Sequence, residues 1–299
     1  MDKKHVSGFV TIIGRPNVGK STLINQIVGE KISIISDKIQ TTRHIIHGII
    51  HDTDSQIIFT DTPGIHKPKH RLGDYMVDAS FQSLDDVDVV LFMINATEGY
   101  GKGDEFILEK LKKVKSPIFL IINKVDLIHP DELFPIIDQY KNKGTFEEVI
   151  PISAAKGNNV QKLISLIKAH LPEGPKYYDE NQITNKTERF MFSERIREKV
   201  LNHTKEEIPH SINVTIETIE ERSHNRIYIQ ALIITERKSQ KGILIGKSGS
   251  MLKKIGQEAR KDIEQITGKK VYLDLWVKVE KDWRNRHALL NRYGYSVDE

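Results

Sequence analysis

The apolar positions of this chain follow two different rhythms. Between residues 9 and 157, short apolar runs that close on polar residues or glycine recur at intervals of roughly 30 residues. They are FVTIIG (9–14), SQIIFTDTPG, DVVLFMINATEG, SPIFLIINKVD and EEVIPISAAKG. Stretches with helical spacing lie between most of them, such as STLINQIVG, GDEFILEKLKKV and NVQKLISLIKAHL. Continuous apolar runs suit strands buried on both faces, and their alternation with helices predicts an α/β fold, a mostly parallel sheet wrapped by helices. Ligands of such folds bind at the carboxyl ends of the strands, which is where the polar motifs fall.

The rhythm stops at LPEGPKYYDENQITNKTE (171–188), which has two prolines, a glycine and no apolar periodicity. This stretch reads as a linker. Beyond it, RFMFSERIREKVLNHT has helical spacing, and SINVTIETIEER and RIYIQALIITER alternate as half-exposed strands around a turn at Ser223–Asn225. GSMLKKIGQEARKDIEQIT is helical with a break expected at Gly256, and KKVYLDLWVKV alternates again. The order α-β-β-α-α-β predicts a smaller α+β domain. The expected division is an α/β domain over 1–171, a linker over 172–188, the α+β domain over 189–281 and a tail over 282–299.

A chain of 299 residues is long enough for two such domains. No apolar run approaches the length that spans a bilayer, and the start, MDKKHVSGFVTIIG, has no small-residue cleavage site, so neither a membrane span nor a signal peptide is expected. The lack of cysteine excludes disulfide scaffolds and thiolate chemistry and suits a reducing cytoplasm. The net charge of +4 is uneven: residues 1–182 hold 22 basic against 24 acidic side chains, and residues 183–299 hold 23 against 17. The second half is the better match for a polyanion.

GRPNVGKS (14–21) fits the G-x-x-x-x-G-K-[ST] pattern at Gly14, Gly19, Lys20 and Ser21, after a strand and before a helix. Glycines let backbone N–H groups curl around phosphate oxygens, and the helix N-terminus adds its positive dipole end. Lys20 is expected to reach the β- and γ-phosphates and the Ser21 hydroxyl to ligate Mg²⁺. DTPG (61–64) supplies Asp61 for Mg²⁺ through water and the Gly64 N–H for the γ-phosphate. In NKVD (123–126), a carboxylate can accept two hydrogen bonds that guanine donates and adenine cannot. Asn123 is expected to meet the base edge and Lys124 to lie along the ring. In SAA (153–155), the Ala154 N–H is expected to bind the guanine oxygen. Four such motifs in order, each after a strand, resemble a translation-factor-type GTPase and oppose a phosphotransferase acting on a small molecule. The candidate nucleotide contacts are Gly14, Arg15, Pro16, Asn17, Val18, Gly19, Lys20, Ser21 and Thr22, then Asp61, Thr62, Pro63, Gly64 and Ile65. They continue with Asn123, Lys124, Val125 and Asp126, and end with Ser153, Ala154 and Ala155.

SDKIQTTRHII (36–46) reads as the first switch, where a threonine hydroxyl joins Mg²⁺ when the γ-phosphate is present. Thr42 is the first choice and Thr41 the alternative. The candidate catalytic set is Lys20, Thr42, Asp61 and Gly64, and the Mg²⁺ set is Ser21, Thr42 and Asp61. Many GTPases carry a water-orienting glutamine after D-x-x-G; here Ile65 cannot bond water, so slow intrinsic hydrolysis is expected. Asn17 leaves two readings open: an amide that helps seat K⁺ beside the phosphates, or a hydrogen bond that steadies the loop. The histidines show no metal-ligand spacing.

GILIGKSG (242–249) shares Gly-Lys-Ser with the first loop, but only three residues separate Gly242 from Gly246 where four are needed. What it contains is G-x-x-G, Gly246-Lys247-Ser248-Gly249, ahead of a helix. With the α-β-β-α-α-β order this matches the loop by which a type-II KH domain clamps single-stranded RNA. Lys247, Ser248, Lys253 and Lys254 would meet the phosphates. Ile245 either packs or lines the base groove. The tail DWRNRHALLNRYGY either packs or offers Trp283, Arg284, Arg286, Arg292 and Tyr293 to RNA.

GRPNVGKS, QTTR, DTPGIHKP, NKVD and SAAKG, followed by a linker and IGKSG, resemble the bacterial Era family over nearly the whole chain. In that family a hydrophobic residue takes the place of the glutamine. The resemblance implies slow GTP hydrolysis to GDP with Mg²⁺, and binding of the 3′ end of small-subunit ribosomal RNA through the KH loop. It further implies help in maturation of the 30S subunit and, in some members, peripheral association with the inner face of the membrane.

Overall fold

The computed structural model describes residues 5–295; residues 1–4 and the last four residues of the tail, 296–299, lie outside it. The chain divides into two compact units. One holds the residues up to Ser33, Thr42–Pro68 and Gly73–Asn185; the other holds Ile34–Thr41, Lys69–Leu72 and the residues from Lys186 onward.

The first unit starts with β1 (Val6–Gly14) and α1 (Lys20–Val28), then β2 (Ile46–Asp52) and β3 (Ser55–Asp61). Next come α2 (Arg71–Gln82), β4 (Val89–Asn95) and α3 (Lys102–Leu111). It finishes with β5 (Ile118–Asn123), α4 (Leu133–Lys141), β6 (Glu148–Pro151) and α5 (Val160–His170). The six strands form one sheet in the order β2-β3-β1-β4-β5-β6, parallel except for β2 against β3. All seven residues of β3 and of β4 are buried, as the unbroken apolar runs require of central strands covered on both faces. β1, β3, β4 and β5 all end their apolar runs along one edge of the sheet, which collects the polar motifs there.

Strand β2 has no counterpart in the sequence reading. Its apolar residues are interrupted by His47, Gly48 and His51, and it lies at the sheet edge, where polar positions are tolerated. Gly48 is needed there: a Cβ would fall 2.7 Å from Ile24 and 2.9 Å from Ile32. The 172–185 stretch carries no regular element but is tied along the strands. Ser7 N–H donates to Pro172 O at 3.1 Å and Ile49 N–H to Ile183 O at 2.9 Å. Gln56, fully buried, binds three backbone groups of this stretch: Oε1 accepts from Tyr177 N (2.7 Å) and Tyr178 N (3.0 Å), and Nε2 donates to Tyr178 O (2.8 Å).

The second unit contains α6 (Glu188–His203), the single turn α7 (Ile208–Ser211), β7 (Asn213–Arg222) and β8 (Arg226–Thr235). Then follow α8 (Lys238–Ile245), α9 (Ser250–Thr267), β9 (Lys270–Val279) and α10 (His287–Arg292). β7 and β8 form an antiparallel hairpin, and β9 joins β8 in parallel. Phe192, Ile196 and Val200 of α6 and Ile255, Ala259 and Ile263 of α9 pack on alternate residues of the three strands. Thr187 caps α6, its Oγ1 accepting from Phe190 N at 3.3 Å.

One expectation is corrected here. Gly256 does not break the helix: α9 runs unbroken through it, and Leu275 packs there to 3.3 Å of where a Cβ would stand. Of the two readings open for the tail, its front takes the packed one. Trp283 is fully buried with Nε1 donating to Ser211 O at 2.8 Å, Arg284 pairs with Glu236, and Leu289 and Leu290 are buried. Among the described residues no helix is long and apolar enough to cross a membrane.

Replacing Gln56 by leucine removes the side-chain partner of the Tyr177 and Tyr178 N–H groups and of the Tyr178 carbonyl. Stability is expected to fall by about 2 kcal/mol, read as a lower urea midpoint with an unchanged slope.

Candidate nucleotide site and candidate RNA loop

The first glycine loop joins the end of β1 to α1. Gly19 adopts φ +107°, and a Cβ there would stand 2.2 Å from Asn123 Nδ2, so the position admits glycine alone. Gly64 also approaches the loop closely, its absent Cβ falling 2.7 Å from Pro16 Cα. The loop leads into the N-terminus of α1, a nine-residue helix whose macrodipole favours an anion there.

Lys20 is buried, and its Nζ donates to Gly14 O (3.2 Å) and Arg15 O (3.1 Å), two carbonyls of its own loop. Burial pushes its pKa down to about 8, against the pull of the Asp61 carboxylate. Asp61 at the end of β3 is fully buried, and burial pushes its pKa up against the pull of Lys20. Ser21 Oγ donates to Asp61 Oδ2 at 2.8 Å and stands 2.9 Å from Thr42 Oγ1. The second carboxylate oxygen, Asp61 Oδ1, is buried with no hydrogen-bond partner among the described residues. One carboxylate with an uncommitted oxygen and two hydroxyls is a hard-oxygen set. It fits Mg²⁺, which keeps several waters and takes one or two carboxylates plus phosphate. The two threonines separate by partner: Thr42 is buried beside Ser21, whereas Thr41 Oγ1 donates to Lys38 O at 2.6 Å.

Several of the expected contact residues also make bonds within the protein. The Asn123 side chain is buried and bonded to backbone: Nδ2 donates to Val18 O (2.8 Å) and Oδ1 accepts from Ala154 N (2.9 Å). It acts as a strut between two loops, and it engages the same Ala154 N–H that is expected to meet guanine. The short amide reaches only what lies beside it, and β5 ends between those loops. Arg15 turns its side chain to Asp104 (2.8 Å) and Glu98, leaving only its backbone to the site. Lys124 Nζ donates to Asn17 O at 2.8 Å, so its stem crosses toward the glycine loop. Asp126 is exposed.

The remaining residues shape the walls. Val18, Thr62, Pro63 and Ser153 are buried, with Thr62 Oγ1 donating to Ile12 O at 2.6 Å and Pro63 O accepting from Ser80. Val125 N–H donates to Ile152 O at 3.3 Å, Thr22 is half-buried on α1, and Ala155 is exposed. Ile65 is buried in the apolar cluster with Ile13 and Phe92, its N–H donating to Gly14 O at 3.1 Å, so its side chain belongs to the core. Asn25 went unnoticed in the sequence, where a mid-helix asparagine has no signal. It ties α1 to the following segment, accepting from Ile32 N and Ser33 N and donating to Ser33 O at 2.7 Å.

The second loop has another geometry. It lies between α8 and α9, not after a strand. Gly246 has φ +71° and ψ 176°, a region open to glycine, and a Cβ would fall 2.8 Å from Met251 Cβ. Ser248 and Gly249 are left-handed at φ 51° and 78°. Lys247, Ser248, Lys253 and Lys254 are exposed at the start of the 18-residue α9, while Ile245 is half-buried and packs on the core.

Asn123→Ala is expected to lower stability by about 2 kcal/mol by unpairing Val18 O and Ala154 N, and to weaken nucleotide binding through the loops it joins. Thermal melts with and without GDP check both effects.

The family described as "50S ribosome-binding GTPase" matches residues 9–124, and the KH domain matches residues 207–284. The chain is 44% identical to an Era protein crystallised with MgGDPNP and nucleotides 1506–1542 of 16S ribosomal RNA. That likeness covers 98% of this chain and all of the other, at a TM-score of 0.95. It is 43% identical to a point variant of Aquifex aeolicus Era bound to GDP·AlF4⁻, with the same coverage and a TM-score of 0.94. A phosphate loop at the end of β1, an oxygen cluster at Ser21, Thr42 and Asp61, a KH loop ahead of α9 and this likeness over the full length lead to one conclusion: the chain belongs to the Era family of GTPases.

Proposed function

We propose that this protein is a GTP-timed RNA clamp that binds the 3′ end of small-subunit ribosomal RNA and assists maturation of the 30S subunit. The observation that carries this reading is the end-to-end likeness to an Era protein holding MgGDPNP and the 3′ segment of 16S ribosomal RNA together. In this reading the backbone N–H groups of residues 14–21 and the Lys20 ammonium hold the β- and γ-phosphates. Ser21, Thr42 and Asp61 hold Mg²⁺, which neutralises the charge that builds on the phosphate oxygens when bound. The exposed Asp126 carboxylate accepts from guanine, and Asn123 keeps the two flanking loops in place. Ile65 is buried and gives the attacking water no hydrogen bond, so hydrolysis waits on another group. Asn17, exposed on the loop, is the proposed K⁺ contact.

Support for coupling comes from residues 34–41, which group with the second unit. Arg197 of α6 donates to Thr41 O, and Glu198 Oε1 accepts from Ile35 N at 3.1 Å. Thr42, the proposed Mg²⁺ ligand, follows Thr41 in the chain, so the segment that the γ-phosphate orders is gripped by α6. Peripheral association with the membrane belongs to the same proposal on the resemblance alone; co-sedimentation with anionic vesicles tests it.

Turnover of GTP is expected to be slow and to rise with an RNA carrying the small-subunit 3′ end. It is also expected to fall several-fold when Na⁺ replaces K⁺, with ATP left unhydrolysed. Phosphate release under these conditions checks it. Indifference to both RNA and K⁺ would contradict the reading.

A further inference from the structure

We infer that the open face of the KH-unit sheet is a second, stacking surface for unpaired RNA, separate from the Gly246–Gly249 loop; the inference rests on the reading of this unit as RNA-binding. Along β8, Ile227, Ile229, Ala231 and Ile233 enter the core, and along β9, Val271, Leu273, Leu275 and Val277 do the same. The alternate residues must then face the other way. On β9 these are Lys270, Tyr272, Asp274, Trp276 and Lys278, in register with Arg226, Tyr228, Gln230, Leu232 and Ile234 of β8.

Tyr272 is 66% and Trp276 59% exposed, and the two lie on the same face of β9, so both rings are open to solvent on one side of the sheet. They are also preorganised. The Tyr228 and Tyr272 rings stack at 5.7 Å and 20°, and the Arg222 guanidinium lies 4.4 Å from the Tyr228 ring centre. Asp274 Oδ2 accepts from Trp276 Nε1 at 2.9 Å and from Tyr228 Oη at 3.3 Å, which holds both rings and occupies the carboxylate in the middle of the face.

Cations stand at both ends of the strip. Arg222, Arg226 and Lys270 lie beside Tyr272. At the other end Lys278 and Leu232 open into a cleft of about 420 Å³ also lined by Arg189, Arg292 and Tyr293. Glu220 lies 3.5 Å from Arg222, Glu280 pairs with Lys278 at 2.5 Å, and Glu217 on the rim of the cleft accepts from Thr215. Aromatic faces in a row between clustered cations are what a single strand needs: bases stack on the rings and phosphates meet the cations. The aliphatic members of the strip, Leu232 and Ile234, are half-buried and buried, so the strip offers rings and cations to stack and pair with bases and phosphates but little aliphatic surface to insert among acyl chains.

The chain has two tryptophans, and the other, Trp283, is fully buried with its indole N–H bonded to Ser211 O. Quenching of the intrinsic fluorescence therefore reports Trp276. The full chain is titrated with single-stranded oligouridylate at fixed salt, in the wild type and in Lys247→Glu, which disables the loop. Saturable quenching is expected in both, lost in Trp276→Phe. Tyr272→Ala should weaken it about tenfold, with GTP turnover unchanged. RNA bound by the wild type without quenching, or quenching that disappears in Lys247→Glu, would overturn the inference and leave the loop reading intact. No RNA binding of any kind would overturn both. A fluorescence change with phosphatidylglycerol vesicles and none with oligouridylate would replace RNA by a lipid surface.

Discussion

Two buried opposite charges govern the nucleotide-binding unit: Lys20 on the first turn of α1 and Asp61 at the end of β3. Burial drives both toward their neutral forms and each opposes the other's loss of charge. Neither is fully satisfied, since Lys20 leans on carbonyls of its own loop and one Asp61 oxygen has no partner among the described residues. Buried opposite charges of this kind are weak evidence of stability, and beside a glycine loop at a helix N-terminus they suit a bound anion and cation. The fold positions it: β1 and β3 are adjacent and parallel, so the glycine loop and the DTPG turn leave the sheet on the same edge.

Much of this was legible in the sequence because the phosphate-loop chemistry is local. A glycine at φ +107° and a lysine and serine that open a helix are set by neighbouring residues, and the pattern carries them. The long buried strands were legible for the same reason. The strand Ile46–Asp52 was not, because an edge strand mixes histidines among its apolar residues and its partner lies in the next strand of the sheet. The strut role of Asn123 escaped because its partners, Val18 and Ala154, are 105 and 31 residues away. No spacing rule reports such contacts. Gln56 escaped for the same reason, and the grip of Arg197 on Thr41 spans 156 residues.

The two Gly-Lys-Ser stretches show how context converts the same letters into different chemistry. At 19–21 the lysine is buried and turned inward, at the end of a central strand. At 246–248 it is exposed on a tight turn between two helices, with further lysines on the next turn of α9. The first can enclose a phosphate chain; the second can only meet a backbone that lies across it. The open face of the same small sheet carries aromatic rings between cations, which gives this unit a second surface with the chemistry of single-stranded RNA.

The central claim is that nucleotide state and RNA binding are linked, and linkage is reciprocal: if GTP favours RNA, RNA must favour GTP by the same factor. The most direct test is the affinity of the protein for an RNA carrying the small-subunit 3′ end, with a non-hydrolysable GTP analogue and with GDP, at one salt concentration. The account predicts binding at least about tenfold tighter with the analogue, a coupling of about 1.4 kcal/mol. Equal affinity in the two states would contradict it and leave the two loops as independent sites on one chain.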